Sequence, residues 1–423
     1  MATGFFYSII ALLIFNFLLE NSLSLLNYFY PQKALPSFLS LFYNQEKYEK
    51  SQAYEQAKLR FSLFVSVVEF IAVFLFFYYG GFAYVDSIVR AVSNHYLVQN
   101  LLFFGILAFV SDIISLPVSI YSTFYLEAEF GFNKTTIRTF ILDKIKSWFL
   151  MALLGGGILA LVVFIYELAG SDFWWLVWLS ISLISLLFTA FYSEIIVPLF
   201  NKQSPLEEGS LRNAIEEFAL KAGFRLNNIF IIDGSKRSTK ANAYFSGIGP
   251  KKRIVLYDTL INDLEEEELV AVLAHEIGHY KKKHTLISIL LGFIQTGILF
   301  FILSFFISKD SEIAISLAQA VAGNNEQIQA SFYLGIIGFG LIYSPVSLLF
   351  GLFFNLISRS NEYAADAYAS KFGLAKDLGI ALIKLTVNGL SKVYPHPLFI
   401  FFHYSHPTLM QRLKRLNTAE FKD

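Results

Sequence analysis

The sequence predicts a mostly α-helical, polytopic membrane protein with about seven spanning helices and a small α+β region on its inner face. Three observations predict it. Hydrophobic residues make up 55% of the 423 residues and charged ones 16%, with 46 Phe, which is far from the composition of a soluble domain. Seven stretches are long and apolar enough to cross a hydrocarbon core. The one long segment between two of them that is not apolar combines an amphipathic helical pattern with short β-type runs.

The first span covers 4–26 and is interrupted by Glu20 and Asn21. No basic region precedes it and no small-residue cleavage site follows, so it reads as a retained span and not a signal peptide. The second covers 62–85 and the third 101–121, with Asp112 inside it. The fourth covers 148–168. The fifth covers 173–197 and opens with Trp174, Trp175 and Trp178, suited to the membrane interface. The sixth and seventh cover 285–307 and 333–357, with Gly323 to Gln327 marking a loop between them.

Lys and Arg alternate along the loops. Lys33, Lys47, Lys50, Lys58 and Arg60 follow span one, Arg90 alone follows span two, and Lys134, Arg138, Lys144 and Lys146 follow span three. The turn after span four has none, the segment after span five ends in Lys281, Lys282 and Lys283, and Lys309 alone follows span six. The positive-inside rule then puts the N-terminus outside or in a lumen, and segment 201–284 and tail 359–423 on the cytosolic side. The organisation is therefore 1–200 for spans one to five with their loops, 201–284 for a catalytic segment, 285–358 for spans six and seven, and 359–423 for a helical tail.

Segment 201–284 carries the first chemical motif. Residues 211–222 predict an amphipathic helix, and 229–232, 242–246 and 253–257 three short strands, the last two joined by a turn-rich loop at 247–252. An acidic run, 263–268, suits the start of a helix that continues through His275-Glu276-Ile-Gly-His279. Two His four apart lie one above the other on a helix face, so both imidazoles reach one metal ion. Glu276, one position on, can hold and deprotonate a water at that metal, and Gly278 keeps the face beside the ligands small. This is the zincin arrangement: two His ligands, a third from elsewhere, an open position and a carboxylate base. The chain has no Cys, so a single zinc would be held by His and carboxylate alone.

The tail offers the rest. Glu362 and Asp366 share a helix face, Glu362 as the third ligand and Asp366 as the hydrogen-bond acceptor that fixes a ligand imidazole. His406, before Pro407, and Arg412 could both face the metal and stabilise a carbonyl oxyanion, although spacing alone also fits an ordinary surface. The 242–246 strand, with Asn242, Ala243 and Tyr244, is either an edge that takes a peptide as an added strand or a core hairpin. A formal net charge of zero gives no field for nucleic acid. A transporter built on Asp112 and a scaffold with a structural metal are the rival classes. The first predicts chelator-insensitive flux, the second a closed four-ligand shell.

Taken together, these motifs make the chain resemble the type I CAAX prenyl proteases, the a-factor-converting branch of the gluzincin-type membrane metallopeptidases. The resemblance rests on Glu129-Phe-Gly-Phe-Asn133-Lys-Thr-Thr136, Asp233-Gly-Ser-Lys-Arg-Ser238, Asn242-Ala-Tyr-Phe245, the stretch from Lys252 to Leu260, the HExxH, Ser358-Arg359 with Glu362 and Asp366, and Ser405-His406-Pro407 with Arg412. It covers nearly the whole chain. More distant quality-control proteases share the metal motifs with fewer spans. The resemblance implies seven helices enclosing a water-filled intramembrane chamber and one zinc on His275, His279 and Glu362. It implies Glu276 as general base and Asp366 and Arg359 as supports. It implies functional His406 and Arg412, and Asn242, Ala243 and Tyr244 on the substrate edge. The implied substrate is a prenylated C-terminal CAAX peptide that loses its last three residues, acted on by a monomer in the bilayer. The alternative is broader clearance of membrane proteins without a prenyl requirement. Lys240 stands where the family usually has a His shortly before the Asn-Ala-Tyr stretch.

Overall fold

A computed structural model describes residues 1–31, 33–224, 229–247, 253–308 and 311–421. Among them, six helices are long and apolar enough to cross a membrane: Ala2–Tyr28, Gln45–Tyr78, Tyr96–Glu129, Ile137–Ala169, Phe173–Phe200 and His284–Ile307. The seventh expected span is two helices, Phe332–Ile342 and Ser344–Ser370, bent by 57°. Pro345 causes the break. It sits in the first turn of the second helix, where it has no N–H to give to the Leu341 carbonyl four residues back, and Ser344 Oγ donates to that carbonyl instead, at 3.2 Å. Asn16 Nδ2 donates to Ser344 Oγ there at 2.7 Å. The second span ends sooner than the apolar run suggests. Gly80 takes a left-handed φ of +73°, and the run continues as a separate helix, Gly81–Val92.

The spans bury little against one another. In five of the six, 6% of the most apolar window is buried, and in the first 11%. Helices of a solid bundle each bury a stripe in a shared core. Burial this low does not suit a solid bundle and fits spans that wall a chamber. Packing concentrates at the two ends. At the end away from the catalytic region, Phe6, Ile9, Phe77, Val85, Leu317 and Tyr333 form one core. A Cβ on Gly323 would lie 3.0 Å from the Gly80 Cα, so two loops meet there backbone to backbone. Asp112 is no free intramembrane charge: Lys144 Nζ donates to it at 2.8 Å and Trp148 Nε1 at 2.9 Å.

At the other end lies a four-stranded sheet. Its strands are β1 (Gln203–Pro205), β2 (Ile229–Ile232), β3 (Ala243–Ser246) and β4 (Arg253–Tyr257), in the order β1-β2-β4-β3. β2 and β4 run parallel and the outer pairs antiparallel. Three of these strands follow from the apolar runs. β1, with Gln203, Ser204 and Pro205, has no β pattern and is recruited by its neighbour. Of the expected turn-rich loop, 248–252 lies outside the described residues. Helix Glu266–Lys281 is the axle of the main core: Leu269, Leu273, Ala274 and Ile277 are buried with Ile215 and Phe218 of helix Ser210–Lys221 and Ile383 of helix Ala375–Asn388.

Candidate active site

The helix Glu266–Lys281 begins with a reciprocal cap. Glu265 accepts from the Glu268 backbone N–H, and the Glu268 side chain accepts from the Glu265 N–H. Lys384 Nζ holds Glu268 at 2.8 Å. Two turns on, His275 is buried and His279 half-buried. What brings the tail to them is Gly278. A Cβ there would sit 3.1 Å from the Ala365 Cα and 3.2 Å from its carbonyl oxygen, so helix Ser344–Ser370 lies nearly backbone to backbone on the HExxH helix. Glu362 is thereby carried to the two histidines.

His275 Nε2 and His279 Nε2 are 3.1 Å apart. Glu362 Oε2 is 3.4 Å from the first and Oε1 3.2 Å from the second, and the three ligand atoms lie within 4.8 Å of one another. His275 Nδ1 is 2.9 Å from Asp366 Oδ1. A carboxylate only accepts, so Nδ1 carries a proton, which leaves Nε2, beside Glu362, as the nitrogen a metal can take. Glu362 Oε2 is buried without a hydrogen-bond partner. Imidazole lone pairs and a carboxylate oxygen lacking a donor, all aimed at one point, suit a divalent cation of the zinc type. Burial works against a charged His275, but its bonds to Asp366 and Glu362 outweigh that and raise its pKa to about 9. A metal at Nε2 competes with that proton, so its affinity rises with pH up to that value.

Arg412 sits behind this group, not before it. It is 9% exposed, and Nε and Nη2 hold Asp366 Oδ2 and Oδ1 at 2.9 and 2.5 Å. Nη1 is 3.3 Å from Glu362 Oε2. All three nitrogens face carboxylates, so the guanidinium braces Asp366 and Glu362, and each Nη carries a second N–H besides. His406 stands on the open side: its side chain is 63% exposed, with Nε2 3.3 Å from Glu362 Oε1. Ser405 Oγ is 2.9 Å from its Nδ1. Glu276 is half-buried beside His275. Arg359 does not reach the metal-facing groups. It donates to the carbonyls of Ile400, at 3.4 Å, and Tyr404, and so ties down the segment that ends in His406.

Asn242, Ala243 and Tyr244 lie at the sheet's free edge. Tyr257 N–H donates to the Asn242 carbonyl at 3.0 Å, and Asn242 stands opposite Tyr257 in the register of β3 on β4. Hydrogen-bonded pairs alternate along an antiparallel ladder, so Ala243 and Phe245 turn their N–H and C=O groups outward. Asn242 Oδ1 accepts the Ala243 N–H at 2.9 Å. The Tyr244 hydroxyl is 3.4 Å from Ser193 Oγ of the fifth span. Beside β3 is a cavity of about 860 Å3 walled by Phe188, Tyr192, Tyr244, Tyr280, Leu286 and Ile289. Lys240 Nζ donates to Glu127 Oε2 at 2.7 Å and to the Tyr54 hydroxyl at 2.8 Å, which joins the catalytic segment to the second and third spans. One neighbour of the His275, His279 and Glu362 cluster had no signal in the sequence: His284, whose Nδ1 is 3.1 Å from His279 Nδ1. A His nine residues after His275 matches no helical spacing, and its approach depends on a turn.

Residues 25–202 match the family described as CAAX prenyl protease N-terminal, five membrane helices, and residues 205–420 match Peptidase family M48. The CAAX prenyl protease 1 of Saccharomyces cerevisiae is 36% identical over 92% of this chain and 89% of its own. The CAAX prenyl protease 1 homolog of Arabidopsis thaliana is 36% identical over the full length of both. The Homo sapiens homolog is 31% identical over 91% of this chain and 89% of its own. The crystal structure of S. mikatae Ste24p superposes with a TM-score of 0.89 at 35% identity, over 98% of this chain and 99% of that one.

Proposed function

We infer the substrate and mechanism from one premise: the chain belongs to peptidase family M48, in its CAAX prenyl protease branch, and is a multi-pass membrane metalloendopeptidase. The substrate we propose is a prenylated protein or peptide with a C-terminal CAAX sequence, cut to release its last three residues. The observation that carries the proposal is the meeting of His275, His279 and Glu362 at the edge of a sheet whose outer strand is unpaired.

Zinc at those three residues would supply Lewis acidity and an acidic water near neutral pH. Peptide in extended form adds to β3, where the outward groups of Phe245 and the Ala243 carbonyl take its backbone, the Ala243 N–H joins them on release from Asn242 Oδ1, and Asn242 and Tyr244 frame it. Glu276 takes a proton from the attacking water and returns it to the leaving amine. His406, exposed beside Glu362, donates to the oxygen on which charge develops. Asp366 and Arg412 hold the ligands, and Arg359 holds the loop that presents His406. The cavity of about 860 Å3 next to β3, with Leu286 and Ile289 on its wall, favours a lipid-modified substrate over an unmodified one. The alternation of basic loops supports a cytosolic catalytic side, with the N-terminus outside or in a lumen.

The test is cleavage of a farnesylated CAAX peptide by the purified protein in detergent, with and without a zinc chelator. Chelator-sensitive release of the last three residues is expected. Equal cleavage of the unprenylated peptide would move the assignment to membrane-protein quality control, and chelator-insensitive cleavage would remove the metal mechanism.

A further inference from the structure

His284 takes no part in the mechanism above, yet it is 7% exposed and lies against a metal-facing side chain. Its Nδ1 is 3.1 Å from the Nδ1 of His279, and the two rings meet edge to face at 78°. His279 turns its other nitrogen, Nε2, toward His275 and Glu362. A histidine that gives its Nε2 lone pair to a metal carries its proton on Nδ1. That makes His279 Nδ1 a donor, so the atom it meets must accept. An acceptor Nδ1 fixes His284 as the neutral ring with its proton on Nε2.

We propose that His284 is a positioning residue for the metal site, doing for His279 what Asp366 does for His275. This rests on the reading of His279 as a metal ligand. His284 cannot itself be a fourth ligand of that metal, since it faces the side of His279 opposite the coordinating nitrogen. Two ligand imidazoles would then be fixed from two directions: one by a buried aspartate on the tail helix, the other by the first residue of a membrane span.

The backbone explains how His284 gets there. The HExxH helix ends at Lys281, and Lys283 adopts a left-handed conformation with φ 60° and ψ 27°. That corner is strained for a non-glycine residue and turns the chain so that span His284–Ile307 starts beside the helix it follows. The span is held in turn by the fifth. Trp178 Nε1 donates to the Phe293 carbonyl at 2.8 Å, and a Cβ on Gly297 would lie 3.2 Å from that same indole nitrogen. Packing between two membrane helices thus sets where the His284 ring stands, and through it the tautomer of His279.

The experiment is zinc affinity of the full-length protein in detergent, measured by competition with a chromophoric chelator. His284→Leu keeps bulk and loses the acceptor, and is expected to weaken zinc by roughly tenfold or more. His284→Asn places an oxygen where Nδ1 was and is expected to restore most of that loss. If His284→Leu does not fold, His284→Gln, which moves the acceptor outward by one methylene, is compared with His284→Asn and is expected to bind zinc more weakly. Wild-type affinity in His284→Leu, or His284→Asn no better than the variant it is compared with, would overturn the proposal. His279→Ala is the control for the underlying reading: zinc bound as tightly as in the wild type would show that His279 is no ligand, a failure distinct from one at His284.

Discussion

Replacing Asp366 with asparagine separates charge and proton direction from shape. Asp366 is 1% exposed. Its Oδ1 meets His275 Nδ1 at 2.9 Å and Arg412 Nη2 at 2.5 Å, and its Oδ2 meets Arg412 Nε at 2.9 Å. An asparagine fits the same space with one oxygen. If that oxygen stays at the Oδ1 place, the amide NH2 faces Arg412 Nε; turned over, it faces His275 and Arg412 Nη2. Either way at least one charge-assisted bond goes, worth roughly 1.5–3 kcal/mol, and Arg412 keeps only Glu362 as a counter-charge. In the second orientation, His275 regains a partner only by moving its proton to Nε2, the atom that faces the metal. Zinc affinity should fall roughly ten- to hundredfold. Cleavage at limiting zinc should fall with it and recover in part at saturating zinc. Competition with a chromophoric chelator measures the first and peptide release the second, with circular dichroism showing that the helices persist. A folded Asp366→Asn protein that binds zinc within twofold of the wild type would refute the reasoning, and the tautomer of His275 would need another cause.

Three further substitutions test other parts of the site. Glu276→Gln should lower turnover by about 100-fold or more, the range for loss of a general base, with bound zinc unchanged by elemental analysis; near-full activity would remove Glu276 from the mechanism. Gly278→Ala places a methyl 3.1 Å from the Ala365 Cα, costs about 1–3 kcal/mol as overpacking, and should weaken zinc without altering a ligand, so unchanged melting and zinc affinity would show that the two helices can part freely. Ala243→Pro removes an N–H that faces away from β4 and that Asn242 Oδ1 holds in the free protein; an edge strand tolerates this, and the change should raise KM for peptide with kcat less affected, so an unchanged KM would argue against strand addition at β3.

Much of this site is visible in the sequence because its parts are local. His275, Glu276 and His279 follow from one helical repeat, Glu362 and Asp366 from another, and the apolar runs fix the spans and therefore the side to which both repeats return. What the sequence hides are contacts made by turns and by backbone packing. Arg412 in a run such as 406–412 reads as a donor waiting for substrate. Only the approach of helix Leu409–Leu416 to helix Ser344–Ser370 shows its guanidinium closed on Asp366 and Glu362. Arg359 lies three residues before Glu362 but points to the Ile400 and Tyr404 carbonyls. β1 is invisible for the same reason: Gln203, Ser204 and Pro205 pair because β2 offers them an edge.

The placement of Arg412 also bears on how charge is distributed. Two carboxylates, Glu362 and Asp366, are buried within reach of one guanidinium and three imidazoles, those of His275, His279 and His406. Burying two like charges together is costly unless each is paired and hydrogen-bonded. Arg412 balances one of them, and its fork fits Asp366 while a single nitrogen reaches Glu362. Asp366 is thus fully satisfied. Glu362 keeps an oxygen without a hydrogen bond, and its unbalanced charge faces the two Nε2 atoms. Arg412, bound in this way, holds Asp366 and Glu362 in place together. On the mechanism proposed above, the permanent charge stays fixed behind Glu362, and the exposed His406 responds to the charge that appears during the reaction.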